Sequence, residues 1–211
     1  MIRSSIARRS ALLAALAASS LFSACAPLLV GGAVVGTTLV VADRRTSGTQ
    51  VEDQGIELKT LSRVREAIGD RGHVNATSYN RMLLLTGEVA SEADKAAVEQ
   101  NVARIENVRS IVNELGVMGA TSLTSRSNDT ILTSKVKASF VDAKDLQANA
   151  FKVVTERGVV YLMGRVTERE ATRASEIARG VGGVQKVVRV FEVVSEAELA
   201  DMVPKSVQKA P

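Results

Sequence analysis

The sequence of 211 residues has one cysteine, one histidine, three prolines and no tryptophan, with two tyrosines and four phenylalanines as its other aromatics. A lone cysteine (Cys25) excludes a disulfide-built scaffold, and a lone histidine (His73) excludes a multi-histidine metal site. No Walker-type glycine loop is present; Gly180-Val-Gly182-Gly183 follows a helical pattern, where C-terminal capping accounts for glycine. The acidic residues are spread over helical faces, and His73 precedes a strand as a surface-turn residue. Nothing pairs a nucleophile with a base, so the chain does not read as an enzyme, and no small-molecule substrate is expected. Charge of one sign is also lacking. The formal net charge is +4, but Arg3, Arg8 and Arg9 fall in a segment expected to be removed. The remainder carries 24 basic and 23 acidic side chains, which is not the footprint of a nucleic-acid binder. With 45% hydrophobic residues, the chain has enough apolar content to fold.

The removed segment is residues 1–24. Three arginines precede the apolar run Ala11 to Phe22, then small residues Ser23 and Ala24 lead to Cys25, the order of a secretory signal peptide. The run of about 12 residues is too short to span a bilayer, which takes about 20. Phe22-Ser-Ala-Cys25 resembles a bacterial lipobox with Phe in the usual Leu position. That resemblance implies N-acyl and S-diacylglycerol groups on Cys25 and no other cofactor. The alternative is a thiol in an uncleaved signal anchor, because apolar character resumes over Pro27–Ala42; Pro27, Gly31, Gly32 and Gly36 interrupt that stretch. Ala26, rather than Asp, follows the cysteine, which for such lipoproteins implies sorting to the outer membrane.

The chain repeats itself. Val74–Gly87 aligns without gaps on Phe151–Gly164, so that Leu85 and Leu162 coincide, as do Gly87 and Gly164. Upstream, Ser62–Ile68 matches Ser134–Phe140; downstream, Ile105–Val112 matches Val181–Val188. Each unit reads helix, strand, strand, helix, strand. Leu61, Val64 and Ile68 share one face of the first helix, and Leu132, Val136 and Phe140 share the face of its counterpart. Alternating residues mark half-buried hairpins around Tyr79-Asn80-Arg81 and Glu156-Arg157-Gly158. Gly87 and Gly164 sit near the ends of the second strands, where a bulge or close backbone approach is expected. Ser91-x-x-Asp94 and Thr167-x-x-Glu170 open the next helices as capping boxes. The last strands fall at about 109–117 and 186–194. The fold class is therefore α+β: two tandem αββαβ domains, each a three-stranded mixed sheet packed by two helices. The expected layout is a leader at 1–24, an acylated stem and linker at 25–55, domains at 56–117 and 128–195 joined by a linker at 118–127, and a flexible tail at 196–211.

Two such units, with Leu83-Leu-Leu-Thr-Gly-Glu-Val89, Val159-Val-Tyr-Leu-Met-Gly-Arg-Val166 and Ser127-Asn-Asp-Thr130, resemble the BON domain. Behind a lipobox, the pair is similar to dual-BON outer-membrane lipoproteins of Gram-negative bacteria. That resemblance implies a non-enzymatic protein on the periplasmic face of the outer membrane, which binds anionic phospholipid and supports membrane integrity. It also implies association with division sites and envelope assembly proteins.

Charge separates the units: residues 43–120 carry 10 basic and 12 acidic side chains, residues 121–195 carry 12 and 8. The second unit is thus the candidate for an anionic surface. On its first helix Ile131 points away from the Leu132–Val136–Phe140 face, with Lys135 beside it, Ala138 extending the stripe and Lys137 nearby. Ile131, Lys135 and Lys137, with Leu132 at the edge, are the expected lipid contact. Two other readings stay open at this level: a protein-interaction scaffold for envelope assembly without lipid binding, and a module for peptidoglycan.

Overall fold

The computed structural model describes residues Asp43–Met202; the leader, Cys25, the stem and the last nine residues lie outside the described residues. The first unit contains α1 (Ser47–Ile68), β1 (Gly72–Tyr79), β2 (Met82–Val89), α2 (Glu92–Val102), β3 (Ser110–Asn113) and β4 (Gly116–Val117). The second contains α3 (Leu123–Asp142), a single 3-10 turn (Ala148–Ala150), β5 (Lys152–Glu156), β6 (Val159–Val166), α4 (Glu168–Gly180) and β7 (Lys186–Val193), and α5 (Glu196–Met202) follows. The central strands β2 and β6 pair antiparallel with β1 and β5, and parallel with β3 and β7. These are two α+β units with mixed sheets, as the repeat predicts.

Helices extend further than composition suggests. α1 begins at Ser47, inside the expected linker, because the Thr46 hydroxyl accepts from Thr49 N–H and caps the first turn. Ser122 does the same for α3, accepting from Ser125 N–H, so residues 123–127 are helical rather than linker. Ser195 and Glu198 close a reciprocal cap that makes 196–202 a helix instead of a loose tail. The expected box at Thr167 is formed in both directions, whereas at Ser91 the hydroxyl accepts from Asp94 N–H and donates to the Asp94 carboxylate, with no return bond from the Ser91 N–H.

The buried face of α1 is also displaced from the expected one. Ile56, Thr60, Val64 and Ile68 face the sheet, whereas Leu61 is exposed. Thr60 is tolerated there because its hydroxyl donates to Ile56 C=O at 2.7 Å. The third strand of the first unit is interrupted: Asn113 Oδ1 takes the Leu115 N–H, withdrawing it from the ladder, yet β3 and β4 keep one register against β2. His73 is the second residue of β1, half-buried and opposite Glu88, not a turn residue.

Each unit has its own core. Val64, Leu83, Leu85, Val98 and Val102 lie in one, and Val136, Phe140, Phe151, Val160, Leu162 and Ala174 in the other. A third core forms between the sheets from Tyr79 and Leu84 of the first unit with Tyr161, Met163 and Val190 of the second. Alternation along β2 sends Leu83 and Leu85 to α1 and α2 and Leu84 to the second sheet, and all three are fully buried. The central strands are therefore covered on both faces, not half-buried as the alternation alone predicts. Burying a side chain of this size contributes about 1.5–3 kcal/mol, so the sheet-to-sheet contact adds substantially to two small domains. The buried residues of all three cores lie within 56–190, so a chain beginning at Asp43 carries every core of the described residues.

Polar groups ring this contact. Lys152 Nζ donates to Glu57 at 2.8 Å and Asn75 Nδ2 to Glu156 at 3.0 Å. Where the described chain begins, Arg44 pairs with Glu170 of the second unit at 2.7 Å, with both side chains buried. Arg45 pairs with Asp53 of the first at 2.8 Å and lies over the Tyr79 ring at 4.2 Å.

Candidate functional site

α3 carries the candidate site. Its inward face, Asp129, Leu132, Val136 and Phe140, follows the helical period and is buried. Beside that face, α3, the β5–β6 turn and the loop before β7 enclose an open groove of about 670 Å³, lined by Ile131, Leu132, Lys135, Arg157, Gly158 and Gly183 among others. Ile131 is 54% exposed. Lys135, four residues on, is exposed on the same side of the helix.

The expected contact residues do not all come together. Ile131 and Lys135 share the groove. Leu132 is 7% exposed and belongs to its floor, not to its edge, because the helical period carries it onto the core face. Lys137 is exposed but outside the groove, since two residues along a helix turn the side chain well away from Lys135. Arg157, which the reading of the sequence treated as turn chemistry alone, supplies the groove with its second cation.

What places Arg157 there is Asp129. Both residues of the β5–β6 turn have positive φ, 51° at Arg157 and 73° at Gly158, the geometry of a two-residue hairpin that follows strand twist. The buried Asp129 carboxylate accepts from Arg157 N–H and Gly158 N–H, each at 2.8 Å. Asp53 does the same in the first unit, accepting from Asn80 N–H and Arg81 N–H at 2.8 Å, and from Ser78 Oγ at 2.6 Å. Asp129 is thereby committed to holding the turn, and Lys135 and Arg157 are the cations that line the groove.

These two aspartates were missed in the sequence, although a signal was available. Each lies three residues before an apolar core position, Ile56 or Leu132, and each precedes a hairpin turn by about the same interval. Pairing Asp53 with Asp129 also shifts the helix alignment by one turn, so that Val64 corresponds to Phe140 rather than to Val136. Next to the turn, burial above all pushes the Glu156 carboxyl up, helped by the nearby Glu88 and Asp129 charges and opposed by Asn75. Burial and Arg126 push His73 down. Among the described residues no group of three or more His, Cys, Asp or Glu could hold a metal, and no helix is long and apolar enough to cross a membrane.

The fold is that of a two-domain α+β protein, its sheets back to back and its first helices outward. Residues 55–119 and 128–195 each match the BON domain, and the chain belongs to the BON-domain family. It is 37% identical over 180 residues to the outer membrane lipoprotein DolP of Haemophilus influenzae, covering 84% of this chain and 92% of that protein. It is 29% identical over 154 residues to a 21 kDa hemolysin of Actinobacillus pleuropneumoniae, covering 72% and 79% of the two chains. Identity to the osmotically-inducible protein Y of Escherichia coli K12 is 29% over 148 residues, covering 66% and 72%.

Proposed function

We propose that the protein is a non-enzymatic, lipid-anchored component of the outer membrane, facing the periplasm, whose second BON domain binds anionic phospholipid and supports membrane integrity, including at division sites. Similarity to an outer membrane lipoprotein along most of both chains supports the location. The observation that carries the binding reading is an exposed isoleucine beside Lys135 and Arg157 on the outward helix of the more basic domain. Each cation near an anionic bilayer surface contributes about 1 kcal/mol, and the apolar side chain adds shallow insertion. In this reading the leader ends at residue 24, and Cys25 carries the acyl chains. The two BON domains, opened by α1 at Ser47 and by α3 at Leu123, stand beyond that acylated stem.

Ile131→Glu in a 43–211 fragment is expected to abolish flotation with phosphatidylglycerol-containing vesicles while leaving circular dichroism and melting unchanged. Undiminished flotation, or equal binding to neutral vesicles, would show that this helix is not the lipid site. Cys25→Ser in the full chain is expected to accumulate unprocessed precursor that takes up no palmitate analogue; label retained on the variant would overturn the anchor. The scaffold reading has one observation in its favour, the exposed Val51 and Leu58 on α1. A fragment that ignores anionic vesicles altogether would leave that reading in place.

A further inference from the structure

Arg157 faces two ways. It lines the groove with Lys135 and Ile131, and its guanidinium also reaches into the contact between the units. There Nε donates to Glu88 Oε1 at 2.6 Å, and Nη2 donates to the Gly119 carbonyl at 2.7 Å. Glu88 belongs to β2 of the first domain, on the same strand face as Leu84, and is 1% exposed. Its other oxygen, Oε2, accepts no hydrogen bond from the protein. A buried carboxylate of the first domain thus meets the second cation of a groove built by the second domain.

Two physical consequences follow. The pair is close enough for Glu88 to cancel most of the potential Arg157 would project into the groove. Glu88 also has a strong hold on that guanidinium, because a buried carboxylate stripped of a charged partner is costly. Arg157 can offer a phosphate only the N–H groups that Glu88 and the Gly119 carbonyl leave over, from the position that Glu88 imposes, unless it leaves Glu88. Its backbone has no comparable freedom, since Asp129 fixes the turn at positive φ.

We propose that Glu88 is a built-in restraint on the groove: by neutralising and pinning Arg157, the first domain sets how strongly the second binds anionic phospholipid headgroups. The inference rests on the lipid-binding reading above and adds a role for the first domain, which makes no groove surface itself. Lys135 has no such restraint and supplies the groove's standing attraction. Glu88 acts on the ligand through Arg157 and is a positioning residue.

The test uses the 43–211 fragment, which contains all three cores, and vesicles of phosphatidylcholine with or without phosphatidylglycerol. Glu88→Gln keeps the shape and one acceptor for Arg157 while removing the charge. It is expected to tighten binding to the phosphatidylglycerol vesicles about fivefold, the equivalent of ~1 kcal/mol for one charge at such a surface. Arg157→Gln is expected to weaken binding, and adding Glu88→Gln to it should bring no gain. The gain should also shrink as salt is raised, which a merely loosened domain contact would not produce. Unchanged affinity in Glu88→Gln, a gain that persists without Arg157, or a gain indifferent to salt would each overturn the restraint even where the unaltered fragment binds. If that fragment binds neither vesicle, the lipid reading fails and the restraint falls with it. Melting curves of the variants separate lost binding from lost folding.

Discussion

Gly87→Ala is expected to destabilise the first domain by about 3–6 kcal/mol, combining backbone strain and overpacking. Gly87 has φ 110°, and a Cβ placed on it would lie 2.0 Å from the His73 carbonyl oxygen on the paired strand. Both obstacles are backbone, so no side-chain movement relieves them. A loss of that size consumes much of the stability a small domain has. Gly69 provides the control: its φ is 56°, but a Cβ there would meet nothing within 4 Å, so Gly69→Ala should cost only the backbone strain, about 1–3 kcal/mol. Urea melts of the 43–211 fragment check the pair. Equal losses at the two sites would refute the close-approach account of Gly87.

Asp53→Asn is expected to cost about 3–5 kcal/mol near neutral pH, because it breaks a buried carboxylate away from Arg45 and turns an amide toward N–H donors. Burial alone would push the Asp53 carboxyl up, but the Ser78 hydroxyl, the Arg81 N–H, the Arg45 guanidinium and the Asn80 N–H together hold it below the usual carboxylate range. A carboxyl depressed in the folded state contributes stability that is fully present above its unfolded value of about 3.9 and is lost as pH falls through the folded value. The gap between the unaltered protein and Asp53→Asn should therefore close progressively below about pH 4. A penalty that stayed constant on acidification would mean that the charge of Asp53 is not what holds the Asn80-Arg81 turn.

Local chemistry made much of this legible in one dimension. The capping pairs Ser91/Asp94 and Thr167/Glu170, the two hairpin turns and the glycines at 87 and 164 act within a few residues or across one strand pair, so the repeat exposes them directly. Features that depend on a distant partner were less visible. Thr60 in the core and Leu61 outside it reflect how α1 lies on its sheet, and polar residues 47–52 read as a linker because their cap and the Arg45–Asp53 pair cannot be seen in composition. The groove was half legible: Ile131 and Lys135 follow from helical period alone, whereas Arg157 reaches it through a turn held by Asp129 from 28 residues away.

By itself, the sequence determined that there are two αββαβ units, because hydrophobic period, caps and turn residues are short-range constraints present twice. Tertiary structure decided that the sheets lie back to back, which places Leu84 against Tyr161 and Met163, turns α3 outward, and brings Glu88 to Arg157. The strand runs Leu83-Leu-Leu85 and Val160-Tyr-Leu-Met163 carry apolar residues on both faces, but burial of the second face needs a partner surface. Which surface covers it is a matter of shape and charge complementarity between residues some 70 to 80 positions apart, and no local pattern encodes that.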